Sequence, residues 1–251
     1  MRIGENTVFE RELPLRCAVN ARDLGGLRTE DGRRVRPRLV LRSDLVTELG
    51  PDDRAFLVDD CALRTVIDLR GADEIGTDGR GALADVVARY HNAHVYGASR
   101  TRLDLTEVAP GDTMFGRYLE YLEHSAHNIV AALDLLTTPA HLPALIHCAA
   151  GKDRTGVVVA VLLALLDVRA DDIVADYAAT APNVPALRAR RDSTAPLPDW
   201  IFAADAGTMR RFLSHLTTEH GGAHAWAARA GLDDSAQRQL ATILLEDAGS
   251  R

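Results

Sequence analysis

The sequence feature that most constrains the fold is an unbroken apolar run at residues 157–166. A helix that is apolar on every face is buried, either inside a large protein or inside a membrane. This run is far shorter than the ~20 residues that span a bilayer, so a membrane helix is excluded. The sequence therefore predicts that residues 1–251 form one domain, with this helix in its middle. The 47% of hydrophobic residues in the chain is sufficient for a sizeable core.

A short apolar strand at residues 142–147 and a tight loop lead into this helix. Within the loop, Cys148 and Arg154 stand in a Cys-x5-Arg spacing, and the residues after the cysteine are small enough for the backbone to curl. Successive N–H groups can then point at one centre, beside the positive end of the helix dipole. The pattern predicts a phosphate-sized anion site with Cys148 at its floor. The residues expected to line this site are Ala149, Ala150, Gly151, Lys152, Asp153 and Arg154.

The same loop predicts nucleophilic catalysis. The thiolate is the reactive form of cysteine, and the inward N–H groups, the helix dipole, Lys152 and Arg154 all favour a thiolate at Cys148. The planar guanidinium of Arg154 can bind two phosphate oxygens while charge is redistributed during transfer. Thr155 can hydrogen-bond the sulfur when a phosphocysteine is hydrolysed. His147, the residue before the nucleophile, is expected to support the loop.

Residues 147–156 read His-Cys-Ala-Ala-Gly-Lys-Asp-Arg-Thr-Gly and resemble the signature loop of the cysteine-dependent protein tyrosine phosphatase superfamily. More narrowly, they resemble its bacterial branch with His-Cys-x-x-Gly-Lys-Asp-Arg. Upstream stretches similar to that branch are Asn-Ala-Arg-Asp-Leu-Gly-Gly at 20–26, Leu-Arg-Ser-Asp at 41–44 and Val-Ile-Asp-Leu-Arg at 66–70. The resemblance, over residues 17–190, implies an α/β fold of the protein tyrosine phosphatase type, with a central, largely parallel sheet flanked by helices. It also implies phosphomonoester hydrolysis without a metal or other cofactor.

The leaving oxygen needs a proton donor, which the wider superfamily usually carries after a Trp-Pro pair that this chain lacks. Two roles are open for Asp153. It either pairs with Lys152 or another cation as a structural counter-charge, or becomes protonated beside the bound phosphate and serves as the acid. The resemblance favours the acid role. Asp68 is the next candidate, although it is equally expected to form a strand-end ion pair with Arg70, and the loop at 97–112 is the last.

Other functions are compatible with parts of the pattern. A nucleotide-binding P-loop would need a glycine five positions before Gly151 and Ser or Thr after Lys152, but Ile146 and Asp153 occupy those positions. A phosphate-recognising binding module without turnover is opposed by the joint presence of the cysteine, arginine and threonine of the loop. A thiol redox enzyme would need a resolving cysteine, and none lies near the nucleophile in sequence.

Charge and composition bear on partners and compartment. The net charge of −7 argues against a nucleic-acid partner, and the three cysteines show no metal-ligand spacing. Residues 1–10 lack the apolar segment of a signal peptide. We therefore expect a cytoplasmic protein, unless export uses a route that needs no such peptide.

The resemblance also bears on substrates. It implies phosphorylated proteins or phosphoinositides as substrates and inorganic phosphate as product and inhibitor. Lipid phosphatases of the superfamily carry an additional lysine just after the cysteine, where this chain has Ala149. We therefore expect relaxed specificity, with phosphotyrosine accepted best and phosphoinositides or phosphoserine more weakly.

The rest of the chain predicts alternating strands and helices. Predicted elements are a turn at 31–32, strands at 38–42, 65–69 and 88–95, and helices at 51–61, 113–136 with a break near 124–126, 173–180 and 234–245. Asp171 or Asp172 is expected to cap the helix at 173–180, and Asp233 and Asp234 the last helix. Residues 185–222 are expected to form either a lid-like subelement or surface helices that complete the fold.

Overall fold

Strands and helices alternate along the chain, and the computed structural model describes them for residues 10–97, 113–190 and 199–246. The strands are β1 (Arg22–Asp23), β2 (Arg34–Val35), β3 (Val40–Ser43), β4 (Thr65–Asp68), β5 (Arg89–Asn92), β6 (Ala144–His147) and β7 (Leu245–Glu246). The helices are α1 (Pro51–Ala55), α2 (Ala72–Asp78), α3 (Leu83–Val86), α4 (Thr113–His124), α5 (Ala126–Asp134), α6 (Asp153–Leu165), α7 (Ala170–Ala178), α8 (Val184–Ala189), α9 (Ala206–His220), α10 (Ala223–Ala230) and α11 (Asp234–Leu244). A π-helical turn, Phe56–Asp60, continues α1.

Five strands form the central sheet, in the order β1-β3-β6-β4-β5. β3, β6, β4 and β5 run parallel, and β1 is antiparallel to β3 at one edge. β3, β4 and β6 are buried along their whole length, as expected for parallel strands with both faces covered. The predicted α/β fold with a largely parallel central sheet is confirmed. Because β6 lies between β3 and β4, the residues that follow it emerge between the ends of its two neighbours.

Alternate residues of the central strands face opposite sides of the sheet. Ile67 and Ile146 belong to a large apolar cluster with residues of α4–α7 and α9–α11. Val66 and Leu145 belong to a smaller cluster with residues of the π-helical turn and α3. α6 lies in the large cluster, and its residues 157–163 are each at most 1% exposed. The buried central helix predicted from the apolar run is therefore confirmed.

Most of the local predictions are confirmed as well. Gly32 has a φ of 88° in the predicted turn, and β3, β4 and β5 lie within or overlap the three predicted strands. The helix predicted at 113–136 is broken between α4 and α5, where Ser125 Oγ donates to Tyr96 O (2.8 Å) and accepts from Tyr96 N (2.7 Å). Asp233 caps α11 by accepting a hydrogen bond from Ala236 N at 2.8 Å.

The predicted cap of α7 is wrong. This helix begins at Ala170 after Arg169, so Asp171 and Asp172 lie inside its first turn, where their charge complements the helix dipole. The carboxylate of Asp172 accepts a hydrogen bond from Arg28 N (3.1 Å) in a neighbouring segment instead of capping its own helix.

The described part of the 185–222 region is mostly helix that packs on the core. α9 contacts α7 and α4, and it contributes Met209, Phe212 and Leu216 to the large apolar cluster. Residues 191–198 and 98–112 lie outside the described residues, so the lid-like role and an acid in the 97–112 loop stay predictions. Within the described ranges, no helix combines the length and apolarity needed to cross a membrane.

Candidate active site

The predicted loop connects β6 to α6 at the carboxyl edge of the central sheet, and we call residues 148–154 the signature loop. Cys148 follows β6 directly and is only 2% exposed. Arg154 and Thr155 lie in the first turn of α6. Since β3 and β4 flank β6, the ends of three parallel strands meet at this loop, the edge where α/β sheets bind ligands.

Donors from outside the loop hold three consecutive loop carbonyls. The carbonyl oxygens of residues 149, 150 and 151 accept hydrogen bonds from Leu45 N (3.1 Å), Asn20 Nδ2 (2.9 Å) and Arg42 Nη2 (2.6 Å), respectively. In a trans peptide the C=O and N–H groups point in opposite directions. The N–H groups of residues 150–152 therefore lie on the other side of the backbone, where a curled loop binds an anion.

Gly151 is required where the loop passes closest to β3. Its φ is +63°, in the region that favours glycine. A Cβ at this position would lie 2.5 Å from Ser43 O and 2.6 Å from Asp44 N. The small residue predicted from the sequence is therefore needed for both backbone conformation and close approach.

Arg154 is held by a carboxylate that the sequence analysis did not identify. Its Nη1 and Nη2 donate to Glu74 Oε2 (2.5 Å) and Oε1 (2.7 Å), and Gly71 N donates to Glu74 Oε2 (2.9 Å). Burial raises the pKa of Glu74, but the hydrogen bonds and charge of Arg154 outweigh burial and lower it. Nη1 also donates to Leu69 O at 3.5 Å. The guanidinium has five N–H groups, so Nε–H and the second hydrogen of Nη2 are left for a substrate oxygen.

Asp153 forms the pair with Lys152 that was one of its two predicted arrangements. Lys152 Nζ lies 2.6 Å from Asp153 Oδ1, and Tyr118 Oη donates to the same oxygen at 2.7 Å. Tyr118 Oη is also 2.7 Å from Tyr177 Oη. Both contacts of the carboxylate fall on Oδ1, and within the described part of the chain no hydrogen bond is made by Oδ2. The side chain of Asp153 is 23% exposed, so it reaches the surface of the site.

Asp68 forms the strand-end ion pair that was one of its two predicted roles. Arg70 Nη2 donates to Asp68 Oδ2 at 2.7 Å, Tyr90 Oη donates to the same oxygen at 2.6 Å, and the carboxylate is fully buried. Burial raises the pKa of Asp68, but the Arg70 hydrogen bond and the neighbouring groups lower it to about 2. The carboxyl is thus ionised at neutral pH, which opposes a role as proton donor.

His147, next to Cys148 in sequence, and Thr155, in the first turn of α6, are both fully buried. His147 Nε2 lies 3.6 Å from Asp68 Oδ2, and burial lowers the pKa of the imidazole despite that neighbour. Thr155 Oγ1 is buried and has no hydrogen-bond partner among the described protein atoms. Its hydroxyl is therefore available for a group that enters the site. In the described ranges, no group of three or more His, Cys, Asp or Glu is placed to hold a metal ion.

Several residues that hold the site were missed from the sequence: Asn20, Arg42, Glu74 and Tyr118. Asn20 and Arg42 lie in the stretches 20–26 and 41–44, whose resemblance was noted without a structural reason, and the carbonyl contacts supply it. Glu74 stands three residues after Gly71, a helix-start spacing that was a usable signal. Tyr118 lies on the apolar face of α4, where only its hydroxyl distinguishes it from a core residue.

Comparisons with known proteins point to one family. A family model described as "Tyrosine phosphatase family" matches residues 13–246. The triple specificity protein phosphatase PtpB of Mycobacterium tuberculosis is 32% identical over 210 residues, which make up 72% of this chain and 72% of that protein. A tyrosine-protein phosphatase of Nostoc commune is 26% identical over 191 residues, 69% of this chain and 63% of that protein.

Solved structures were also compared. The core catalytic domain of the PP-IP phosphatase SIW14 from S. cerevisiae, in complex with citrate, is 17% identical to this chain. The two align with a TM-score of 0.40, over 81% of this chain and 94% of that one.

Proposed function

Since the chain belongs to the tyrosine phosphatase family, we propose that Cys148 and Arg154 carry its phosphomonoester hydrolysis through a phosphocysteine intermediate. The observation that carries this proposal is the set of three outward-held carbonyls at residues 149–151. The N–H groups on the opposite side of the same peptides are the ones that we expect to bind phosphate oxygens, next to the buried Cys148 in the loop. The guanidinium of Arg154, oriented by Glu74, supplies the remaining positive charge.

In the first step, the Cys148 thiolate attacks phosphorus as the bond from phosphorus to the leaving oxygen breaks. The loop amides and Arg154 hold the equatorial oxygens, where negative charge accumulates. The leaving oxygen takes a proton from Asp153, whose Oδ2 is the oxygen without a hydrogen bond in the described part of the chain.

In the second step, water attacks phosphorus and the sulfur leaves. Asp153, now ionised, accepts the proton of that water, and inorganic phosphate is released. We infer that Thr155, whose buried hydroxyl has no hydrogen-bond partner among the described protein atoms, donates to the departing sulfur. Asp68 stays ionised throughout and donates no proton. It supports the loop through its contact with His147, the last residue of β6.

The substrates that we propose are phosphotyrosine first, with phosphoserine, phosphothreonine or phosphoinositides accepted more weakly. The relative from M. tuberculosis is named a triple specificity phosphatase, which supports a site that is not restricted to one alcohol. The ammonium of Lys152 is bound to Asp153, and residue 149 is alanine, so neither position offers a free cationic side chain to a second phosphate.

Hydrolysis of a nitrophenyl phosphate by the purified chain tests this function. We expect turnover by the unaltered chain and none by Cys148→Ser, with inorganic phosphate still binding to that variant because the loop amides and Arg154 remain. Cys61→Ser is the matched control and should keep full turnover, since Cys61 packs in the smaller apolar cluster. Phosphate binding without turnover by the unaltered chain would show a binding module instead of an enzyme.

Alkylation by iodoacetate gives an independent check of the nucleophile. We expect Cys148 to react faster than Cys17 or Cys61, and phosphate to slow its reaction competitively, because Cys148 belongs to the loop that we propose to bind the phosphate anion. Equal labelling of all three cysteines, measured by peptide mass spectrometry, would contradict the role of Cys148.

A further inference from the structure

A buried carboxylate on α7 lies behind the signature loop. The side chain of Asp176 is fully buried and accepts hydrogen bonds from Arg11, Arg22 and Arg42. Burial raises the pKa of this carboxyl, but the charges of the three arginines outweigh burial and hold it well below its usual range. Asp176 is therefore a permanent anion at the centre of three cations, and none of the catalytic steps above uses it.

Two series of hydrogen bonds, which we call arms, lead from this carboxylate to the loop. The first passes through Arg42. Arg42 Nη1 donates to Asp176 Oδ2, and Nη2 of the same guanidinium donates to the carbonyl of Gly151 at 2.6 Å. A guanidinium is planar, so fixing one Nη fixes the direction of the other. The carbonyl that Arg42 holds belongs to the peptide whose N–H is that of Lys152.

A second arm leads through Arg22 and Asn20. Arg22 Nε donates to Asp176 Oδ1 (3.1 Å), and Arg22 Nη1 donates to Asn20 Oδ1 (2.6 Å). Thr180 Oγ1 donates to the same amide oxygen at 3.1 Å. With its oxygen held on one side, the amide of Asn20 must present Nδ2 on the other, where it donates to the carbonyl of Ala150 (2.9 Å).

We propose that Asp176 is a positioning residue that sets the direction of the phosphate-binding amides through these two arms. Two of the three outward-held carbonyls trace back to Asp176. The Arg42 arm depends on its carboxylate, whereas Arg22 also donates through Nη2 to the backbone carbonyl of Asp176 (2.7 Å). Removal of the carboxylate therefore frees the N–H of residue 152 most and loosens that of residue 151. The inference rests on the proposed function only in taking the signature loop as the phosphate site. It is a statement about anion binding and is measurable without turnover.

Binding of inorganic phosphate to the full chain, measured by isothermal titration calorimetry, tests the inference. We expect Asp176→Asn to weaken phosphate binding about tenfold or more, and Asn20→Ala by several-fold. Arg42→Lys keeps a positive charge beside Asp176, but a single ammonium does not reproduce both contacts, so it should also weaken binding. Leu240→Ala in α11 removes a fully buried core side chain away from the loop, and it should lower the melting temperature without changing phosphate affinity.

A double-mutant cycle distinguishes positioning of the loop amides from a general loss of structure. If Asp176 acts through Asn20, the loss caused by Asn20→Ala should be smaller in the Asp176→Asn background than in the unaltered chain. Additive losses, or unaltered phosphate affinity in the folded variants, would overturn the inference. If Asp176→Asn does not fold, Arg42→Lys and Asn20→Ala test the inference instead. Wild-type phosphate affinity in both variants would show that neither arm positions the loop.

The outcomes also separate this inference from the proposed function. Weakened phosphate binding in the variants together with no ester hydrolysis by the unaltered chain would refute the enzyme and keep the role of Asp176. Hydrolysis by the unaltered chain together with unaltered phosphate affinity in all three variants would keep the enzyme and refute that role. A chain that binds no phosphate at all would overturn both.

Discussion

The two halves of the signature loop are held by different kinds of contact. The first half, residues 149–151, has no titratable side chain, and outside donors fix its backbone carbonyls. The second half, Lys152 to Arg154, is fixed through its side chains, by pairs with Tyr118 and Glu74 and between neighbours. Two of the three donors to the first half, Asn20 and Arg42, are buried, whereas the side chains of Asp153 and Arg154 are 23% and 16% exposed.

This difference suits the first half of the loop to binding an anion and the second half to the chemical step. A rigid set of amides offers an anion the same geometry in every state of the reaction, which is what preorganised electrostatic stabilisation requires. Side chains that reach the surface can exchange a proton or take up substrate oxygens. We therefore expect changes in the second half to alter turnover more than binding, and changes in the first half to alter binding and stability together.

Arg154→Lys should produce the largest effect. An ammonium cannot bind two oxygens in a plane or keep the paired contact with Glu74, so we expect kcat/KM for a nitrophenyl phosphate to fall by about 1000-fold. Arg229→Lys, on α10, is the matched control and should leave the rate unchanged. A loss of less than tenfold would show that the second half does not carry the transition-state charge.

Asp153→Asn should produce a smaller effect that depends on the leaving group. Proton donation matters most for poor leaving groups, so we expect a loss of about 100-fold with phosphoserine and far less with an activated nitrophenyl ester. The basic limb of the pH–rate profile should flatten, because the ionisation that causes it is removed. Asp134→Asn, at an exposed carboxylate of α5, is the control. Equal losses on both substrates with an unchanged limb would reduce Asp153 to a structural counter-charge of Lys152.

Gly151→Ala should produce the smallest effect on rate and a clear effect on stability. The left-handed φ costs roughly 1–2 kcal/mol for a residue with a Cβ, and the contact with Ser43 O adds to that cost. We expect a melting temperature lower by about 3–8 °C and phosphate binding weakened about tenfold. Gly116→Ala in α4, where a Cβ meets nothing within 4 Å, should instead leave stability unchanged or raise it. Similar behaviour of the two variants would contradict the tight contact with β3.

Local pattern was enough to predict the conformation of the signature loop. The apolar run of α6, the small residues before it and the spacing from Cys148 to Arg154 lie within one continuous stretch, and each has a direct structural meaning. The pattern of alternating buried strands and helices predicted only the class of fold. It did not predict the order of β3, β6 and β4 in the sheet. Its register depends on contacts between distant segments.

The partners of the loop could not be predicted in the same way. Arg154 and Glu74 are 80 positions apart, and Arg42 and Asp176 are 134 positions apart. A single sequence does not show which of its 36 acidic residues meets which arginine. Asp176 was the easiest of these acidic residues to identify from the sequence. It lies between Val174 and Tyr177 on the inward face of α7, and a carboxylate that is buried there must be paired.

The reach of these contacts along the chain has a consequence for how the protein folds. Asn20 binds a carbonyl 130 positions later, and Arg22 binds a carboxylate 154 positions later. Contacts across such separations form slowly, because a long stretch of chain must close before they repay the lost entropy. α6 and the turn before it are local, so a chain can complete them while β1 and α7 are still apart. The anion site is then one of the last features to form, and an active molecule is one whose first strand and seventh helix have already met.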